Sequence, residues 1–124
     1  MRLSLFVVMA ALLTLGVAAC TKNQPAYKIE GIFTGSFNAS YNDSIYLKSD
    51  GHQVKFTPLT KNNVKVEGEG FDTFEFLVTK DGLNVVRVNV SDTNLTKFTW
   101  ISDEDRVVFD YNKGDNWCVF NGTR

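Results

Sequence analysis

Phe71-Asp72-Thr73-Phe74-Glu75-Phe76-Leu77-Val78-Thr79-Lys80-Asp81-Gly82-Leu83-Asn84-Val85-Val86-Arg87-Val88-Asn89-Val90 is the stretch that decides the fold. Its first half places Phe74, Phe76 and Val78 on one face, the period of two that a strand needs to bury one side. Asp81-Gly82 is the strongest hairpin signal in the chain, because the glycine accepts the positive φ of a tight turn. The chain then returns from Leu83, with Val86, Val88 and Val90 expected inward and Arg87 and Asn89 outward.

The same grammar extends in both directions. Downstream, Ser91-Asp92-Thr93-Asn94 turns the chain into an inward row of Thr96, Phe98 and Trp100. Asp103-Glu104-Asp105 turns it into Val107, Phe109 and Tyr111, and Asn112 to Asn116 turns it again into Trp117-Cys118-Val119-Phe120. Upstream, Asn62-Asn63 leads into Val64 and Val66, with Lys65, Glu67 and Glu69 opposite, and Gly68 and Gly70 predict a bulge or bend. Gln53–Thr57 carries Val54 and Phe56 inward and stops at Pro58, which lacks a backbone donor. A strand from Ser44 to Lys48 ends at the turn signal Ser49-Asp50-Gly51. Gly35 to Asn42 reads as a loop or loosely paired edge, and Tyr27, Ile29, Gly31 and Phe33 read as the inward row of a first strand.

About eight short strands with turn chemistry roughly every ten residues, and no helical window among them, predict an all-β domain. A small antiparallel barrel, closed or partly closed, is preferred over a two-sheet β-sandwich, because closure removes exposed edges. Inward rows rich in Phe and Val predict a packed interior and not a roomy cavity.

The first twenty residues follow a different logic. Arg2 precedes an apolar run from Leu5 to Ala19, which ends in two small residues and a cysteine. It is shorter than the roughly 18 residues of a membrane-spanning helix and reads as a secretion signal. Val17-Ala18-Ala19-Cys20 resembles the lipobox of bacterial lipoproteins, in which the cysteine thiol receives lipid and the chain is cleaved before it. That resemblance implies residues 1–19 as signal peptide, residues 20–26 as lipidated Cys20 and tether, and residues 27–124 as a single domain. It also implies a lipid-anchored location in the bacterial cell envelope. Thr21, where inner-membrane retention in enterobacterial lipoproteins uses aspartate, implies the outer membrane. Diacyl or triacyl attachment gives the durable anchoring that one chain does not.

Removing residues 1–19 leaves 124 − 19 = 105 residues with 12 Lys+Arg against 14 Asp+Glu, one domain's length with a slightly acidic surface. This balance argues against nucleic acid, which would ask for a basic stripe. With Cys20 lipidated, Cys118 is expected to be a buried, unpaired thiol. The alternative is ordinary secretion with a Cys20–Cys118 disulfide. In a eukaryote, the five Asn-x-Ser/Thr sequons, starting at Asn38, Asn42, Asn89, Asn94 and Asn121, would then make the chain a secreted glycoprotein.

No constellation names a reaction. His52, the lone histidine, is expected in a solvated turn, and zinc or calcium ligands at the usual spacing are missing. Asp103, Glu104 and Asp105 read as an acidic hairpin tip in water. No cofactor is implied. Tyr27-x-Ile29-x-Gly31, Asp43-Ser44-Ile45-Tyr46-Leu47 and Phe74-Glu75-Phe76 are similar to the N-terminal β-domain of Bacteroidetes envelope lipoproteins, whose function is uncharacterised. Small barrel lipoproteins that inhibit host lysozymes share the expected architecture by fold alone. The resulting expectation is a non-catalytic binding or inhibitory module with an envelope or host protein partner, whose best accessible aromatics are Phe37 and Tyr41. Its competitor is a small envelope hydrolase using Glu67, Glu69 or Asp105.

Overall fold

The computed structural model describes residues 23–88 and 94–124. The expected signal, Cys20, the start of the expected tether and residues 89–93 lie outside them. A short helix, α1 (Pro25–Lys28), precedes eight strands: β1 (Gly31–Tyr41), β2 (Ser44–Pro58), β3 (Asn63–Gly68), β4 (Phe74–Asp81), β5 (Asn84–Arg87), β6 (Leu95–Ile101), β7 (Arg106–Lys113) and β8 (Asn116–Thr123). Each strand pairs antiparallel with the next, and β8 pairs back onto β1, so the sheet closes as an up-and-down barrel. The expected barrel is therefore the fold, and the sandwich is not. No helix among the described residues is long and apolar enough to cross a membrane.

An eight-stranded barrel has an interior just wide enough for side chains to fill. Here phenylalanine fills it. Phe109 sits at the centre, with ring centroids of Phe56, Phe71, Phe74 and Phe120 between 5.6 and 6.3 Å away. Phe33 meets Phe56 edge-on at 5.3 Å, and Phe76 meets Phe98 at 4.6 Å. The inward rows of β4, β6 and β7 fall as the alternation predicts, with Phe74, Phe76, Val78, Phe98, Trp100, Val107, Phe109 and Tyr111 all buried.

Several expectations need correction. The first strand does not start at Tyr27: Pro25, whose fixed φ suits a first helical turn, opens α1 instead. Ala26 and Ile29 are fully buried and plug the base of the barrel. The Ala26 amide donates to the carbonyl of Lys61 at 3.0 Å. Gly31, at φ 126°, then turns the chain up into β1.

The stretch of residues 35–41 is not a loop but the upper part of β1, and Phe37 is fully buried. Ser49-Asp50-Gly51 is not a turn. It lies within β2, where register shifts between Gly35 and Phe37 and between Ala39 and Ser40 absorb the irregularity as bulges. The hairpin turn is instead Asn42-Asp43, both at positive φ.

In β5 the phase is reversed. The two-residue turn Gly82-Leu83 pairs Asp81 with Asn84, which sets Val78 opposite Arg87 and turns Val85 inward. Val85 is fully buried, whereas Val86 and Val88 are only half-buried. In β6 a register shift between Leu95 and Lys97 buries Leu95 and leaves Thr96 exposed.

Candidate functional site

The barrel has two different ends. At the base, α1 and Ile29 fill the opening. At the other end the β1–β2 turn, the β3–β4 connection and the β7–β8 turn frame the mouth among the described residues. A cavity of about 310 Å³ lies in this mouth. Barrel mouths are a common place for ligand sites, and this volume is at the small end of their range.

Cys118 and Tyr111 form the floor of the cavity. They are register partners on β8 and β7, and both side chains turn inward. Tyr111 is held flat against Phe74, with centroids 4.3 Å apart and planes 9° from parallel. Phe71 makes one wall. The opposite lip is Tyr46, whose hydroxyl donates to the carbonyl of Gly70 at 2.9 Å and so ties β2 to the β3–β4 connection. Gly70, at φ 93°, is required there, since a Cβ would lie 2.7 Å from Leu47 and 2.9 Å from Phe37. Lys113 reaches across the mouth to Asp72, Nζ to Oδ2 at 2.9 Å. Trp117 and Asn116 complete the rim.

Burial at Cys118 and the hydrogen bond from Lys113 to Asp72 both favour the protonated form of these two side chains. Burial pushes the Cys118 thiol up to about 12, and a backbone hydrogen bond involving Tyr111 offsets only part of this. The hydrogen bond from Lys113 to Asp72, reinforced by the carboxylate's charge, raises the ammonium above its ordinary value. A protonated thiol and a protonated amine are poor nucleophiles. The mouth offers aromatic walls, hydrogen-bonding groups and one exposed ion pair.

The residues singled out in the sequence scatter. Tyr41 is half exposed at the mouth end of β1, but Phe37 is 0 % exposed and cannot meet a partner. Phe37 instead stacks on His52 at 4.1 Å, with planes 10° apart. His52 is no turn residue: it is only 8 % exposed, and its Nε2 donates to the carbonyl of Glu69 at 2.7 Å. Glu67 pairs with Lys65 of its own strand at 3.2 Å. Asp105 lies at the base, far from the mouth, where it accepts from Trp100 Nε1 at 2.8 Å and is held by Arg124. It is not a free acid in water, and the three carboxylates of the hydrolase reading do not share a cleft. Cys118 is buried, as its apolar surroundings predicted, and has no disulfide partner among the described residues. Cys20 lies outside the described residues. Among the described residues, no cluster of His, Cys, Asp or Glu is arranged to hold a metal ion.

The mouth residues were missed because they come from β2, the β3–β4 connection and the β7–β8 hairpin. The aromatic and lysine beside the last turn, Lys113 and Trp117, were visible in the sequence, but their convergence with Tyr46 and Phe71 follows only from closure. Compared with protein-family models, with curated proteins and with solved structures, the chain matches none.

Proposed function

We propose that this chain is an envelope lipoprotein, lipid-anchored through Cys20 and sorted to the outer membrane, whose barrel is a non-catalytic binding or inhibitory module with its site at the mouth. The observation that carries the binding reading is the aromatic-walled mouth cavity, in which the nearest thiol and amine are both held protonated. The occupant is an apolar or aromatic group with a polar end for the Lys113–Asp72 lip. It is either a small molecule or the side chain of an envelope or host protein.

Two geometric facts support the anchoring arrangement. The chain enters the barrel at its base, so a lipid on Cys20 leaves the mouth facing away from the bilayer. The tether is also shorter than first read, because Pro25 and Ala26 belong to the folded base. The alternative Cys20–Cys118 disulfide fits poorly. Three residues before Asn23 reach only about 10 Å, whereas Cys118 pairs with Ala39, which lies roughly 26 Å along β1 from Gly31.

The anchoring is tested by Cys20→Ser in the native host: fatty-acid labelling should vanish and uncleaved precursor accumulate, and unaltered processing refutes it. Binding at the mouth is tested with a neutral lipophilic fluorophore on the purified protein. Enhanced emission that is lost in Trp117→Ala and Phe71→Ala supports the site, and unchanged emission in both variants rejects it.

A further inference from the structure

Among the described residues β2 is the longest strand, and it runs well past its neighbour β3. It pairs with β1 along nearly its whole length, from Ser44 opposite Tyr41 to Phe56 opposite Gly31. With β3 it pairs only from Val54 onward. Ser44 to Gln53 therefore have a strand partner on one side alone among the described residues. The β3–β4 connection touches this half of β2 through the side chains of Tyr46 and His52. At Gly51 there is nothing within 4 Å of where a Cβ would stand. The segment also exposes Ile45, at 61 %, and Tyr46, at 55 %. An open edge with apolar side chains is a template for pairing unless something covers it.

Charge selects the partner. Lys48 and Asp50 are both exposed and take part in no ion pair among the described residues. Antiparallel pairing of this edge with itself, centred on Ser49, sets Lys48 of each copy opposite Asp50 of the other, twice by symmetry. Shifting the centre by one residue to Lys48 would oppose two lysines, which is destabilising. The edge is thus complementary to itself in one register and repels itself in the neighbouring one.

We propose that two copies of this chain associate through the mouth half of β2, antiparallel about a two-fold axis at Ser49. The contact is isologous, as closed dimers require. It covers the longest stretch of strand that has a single strand neighbour among the described residues, and it seats Ile45 and Tyr46 beside the partner's strand. The interface shares Tyr46 with the lip of the mouth but does not depend on which occupant the mouth takes.

The test uses the full chain in mild detergent. Its mass should rise from monomer to dimer with concentration. Across the two-fold the Ser49 Cα atoms would lie about 4.5–5.5 Å apart, inside the range a disulfide spans. Ser49→Cys should therefore form a covalent dimer under oxidation at least tenfold faster than Gly51→Cys, with the parent chain giving the background from the native cysteines. Lys48→Glu should weaken association about tenfold by opposing carboxylates twice. The double change Lys48→Glu with Asp50→Lys should restore it. Thermal melting of each variant separates lost pairing from lost folding. A monomer at every soluble concentration overturns the proposal. So does a dimer that ignores both charge changes, or one in which Ser49→Cys links no faster than Gly51→Cys.

Discussion

Asp105 and Arg124 grip each other at two points, Nε to Oδ2 at 3.1 Å and Nη2 to Oδ1 at 3.0 Å, across the base of the barrel. The same guanidinium donates to the carbonyls of Lys28 and Glu30 and lies 5.0 Å above the ring of Phe33. Asp105 itself stands at φ 47°, closing the 3₁₀ turn Ser102–Glu104, and accepts from the indole of Trp100. One carboxylate thus joins the β6–β7 turn, Arg124 and, through Arg124, the backbone between α1 and β1.

Asp105→Ala should destabilise the barrel by about 1–3 kcal/mol, because it leaves the Trp100 N–H without its acceptor and takes the carboxylate away from the Arg124 guanidinium. Asp105→Asn should cost less, since an amide oxygen can still accept from Trp100. Urea unfolding of both variants checks the order, and equal stability with the parent chain would contradict the geometry.

The phase of β5 gives a sharp comparison. Val85→Ala removes fully buried methyl groups and should cost on the order of 2 kcal/mol. Val86→Ala, on the half-buried outer face, should cost under about 1 kcal/mol. Reversed magnitudes would restore the phase expected from the sequence.

Cys118 predicts an alkaline limb in stability. In the unfolded chain its thiol ionises near 9, whereas the folded chain holds the proton to about 12. Between those values the folded state binds more protons than the unfolded one, so stability is intact below about pH 9 and declines as pH rises toward 12. Cys118→Ala should flatten that limb in pH-dependent melting. Alkylation of native protein at mildly alkaline pH should be slow and become fast on denaturation; immediate alkylation of folded protein would refute the buried thiol.

Gly35 and Gly122 face each other where β1 meets β8. A Cβ on Gly35 would stand 2.1 Å from the Asn121 carbonyl oxygen and 2.4 Å from Gly122 Cα, both backbone atoms that cannot swing aside. Gly35→Ala should cost about 3 kcal/mol, the upper end for overpacking. Gly51→Ala, with open space around it, is the control for helix-independent glycine effects and should be nearly neutral in thermal melting.

The fold was legible in the sequence wherever one face is buried without interruption. Phe74, Phe76 and Val78, or Val107, Phe109 and Tyr111, announce their strands and faces, and Asp81-Gly82 announces its turn. Legibility failed where a local rule met a long-range one. Period two placed Val86 inward because it would not bury Arg87, yet the two-residue turn fixes Arg87 opposite Val78, and its guanidinium escapes by donating to the Leu95 carbonyl. Ser49-Asp50-Gly51 resembles a turn, yet β1 keeps it in a bulged strand. Gly35 to Asn42 looked polar enough for a loop or a loosely paired edge, but Phe37 has a histidine to stack on. The mouth was illegible for a different reason: its walls belong to segments that only barrel closure brings together.

Seven of the eight strand junctions join neighbours in the chain, and one, β8 to β1, joins segments more than seventy residues apart. The first seven can zip as successive hairpins at little entropic expense, whereas the seam must close a loop of nearly the whole domain. The seam also carries the tightest backbone approach, at Gly35 and Gly122, and ends beside the Arg124 grip on Lys28 and Glu30. Folding should therefore be limited by seam closure, with an open eight-stranded ribbon as the species that precedes it. That ribbon exposes two further edges, so the rate of closure sets how long each newly made molecule stays vulnerable to aggregation.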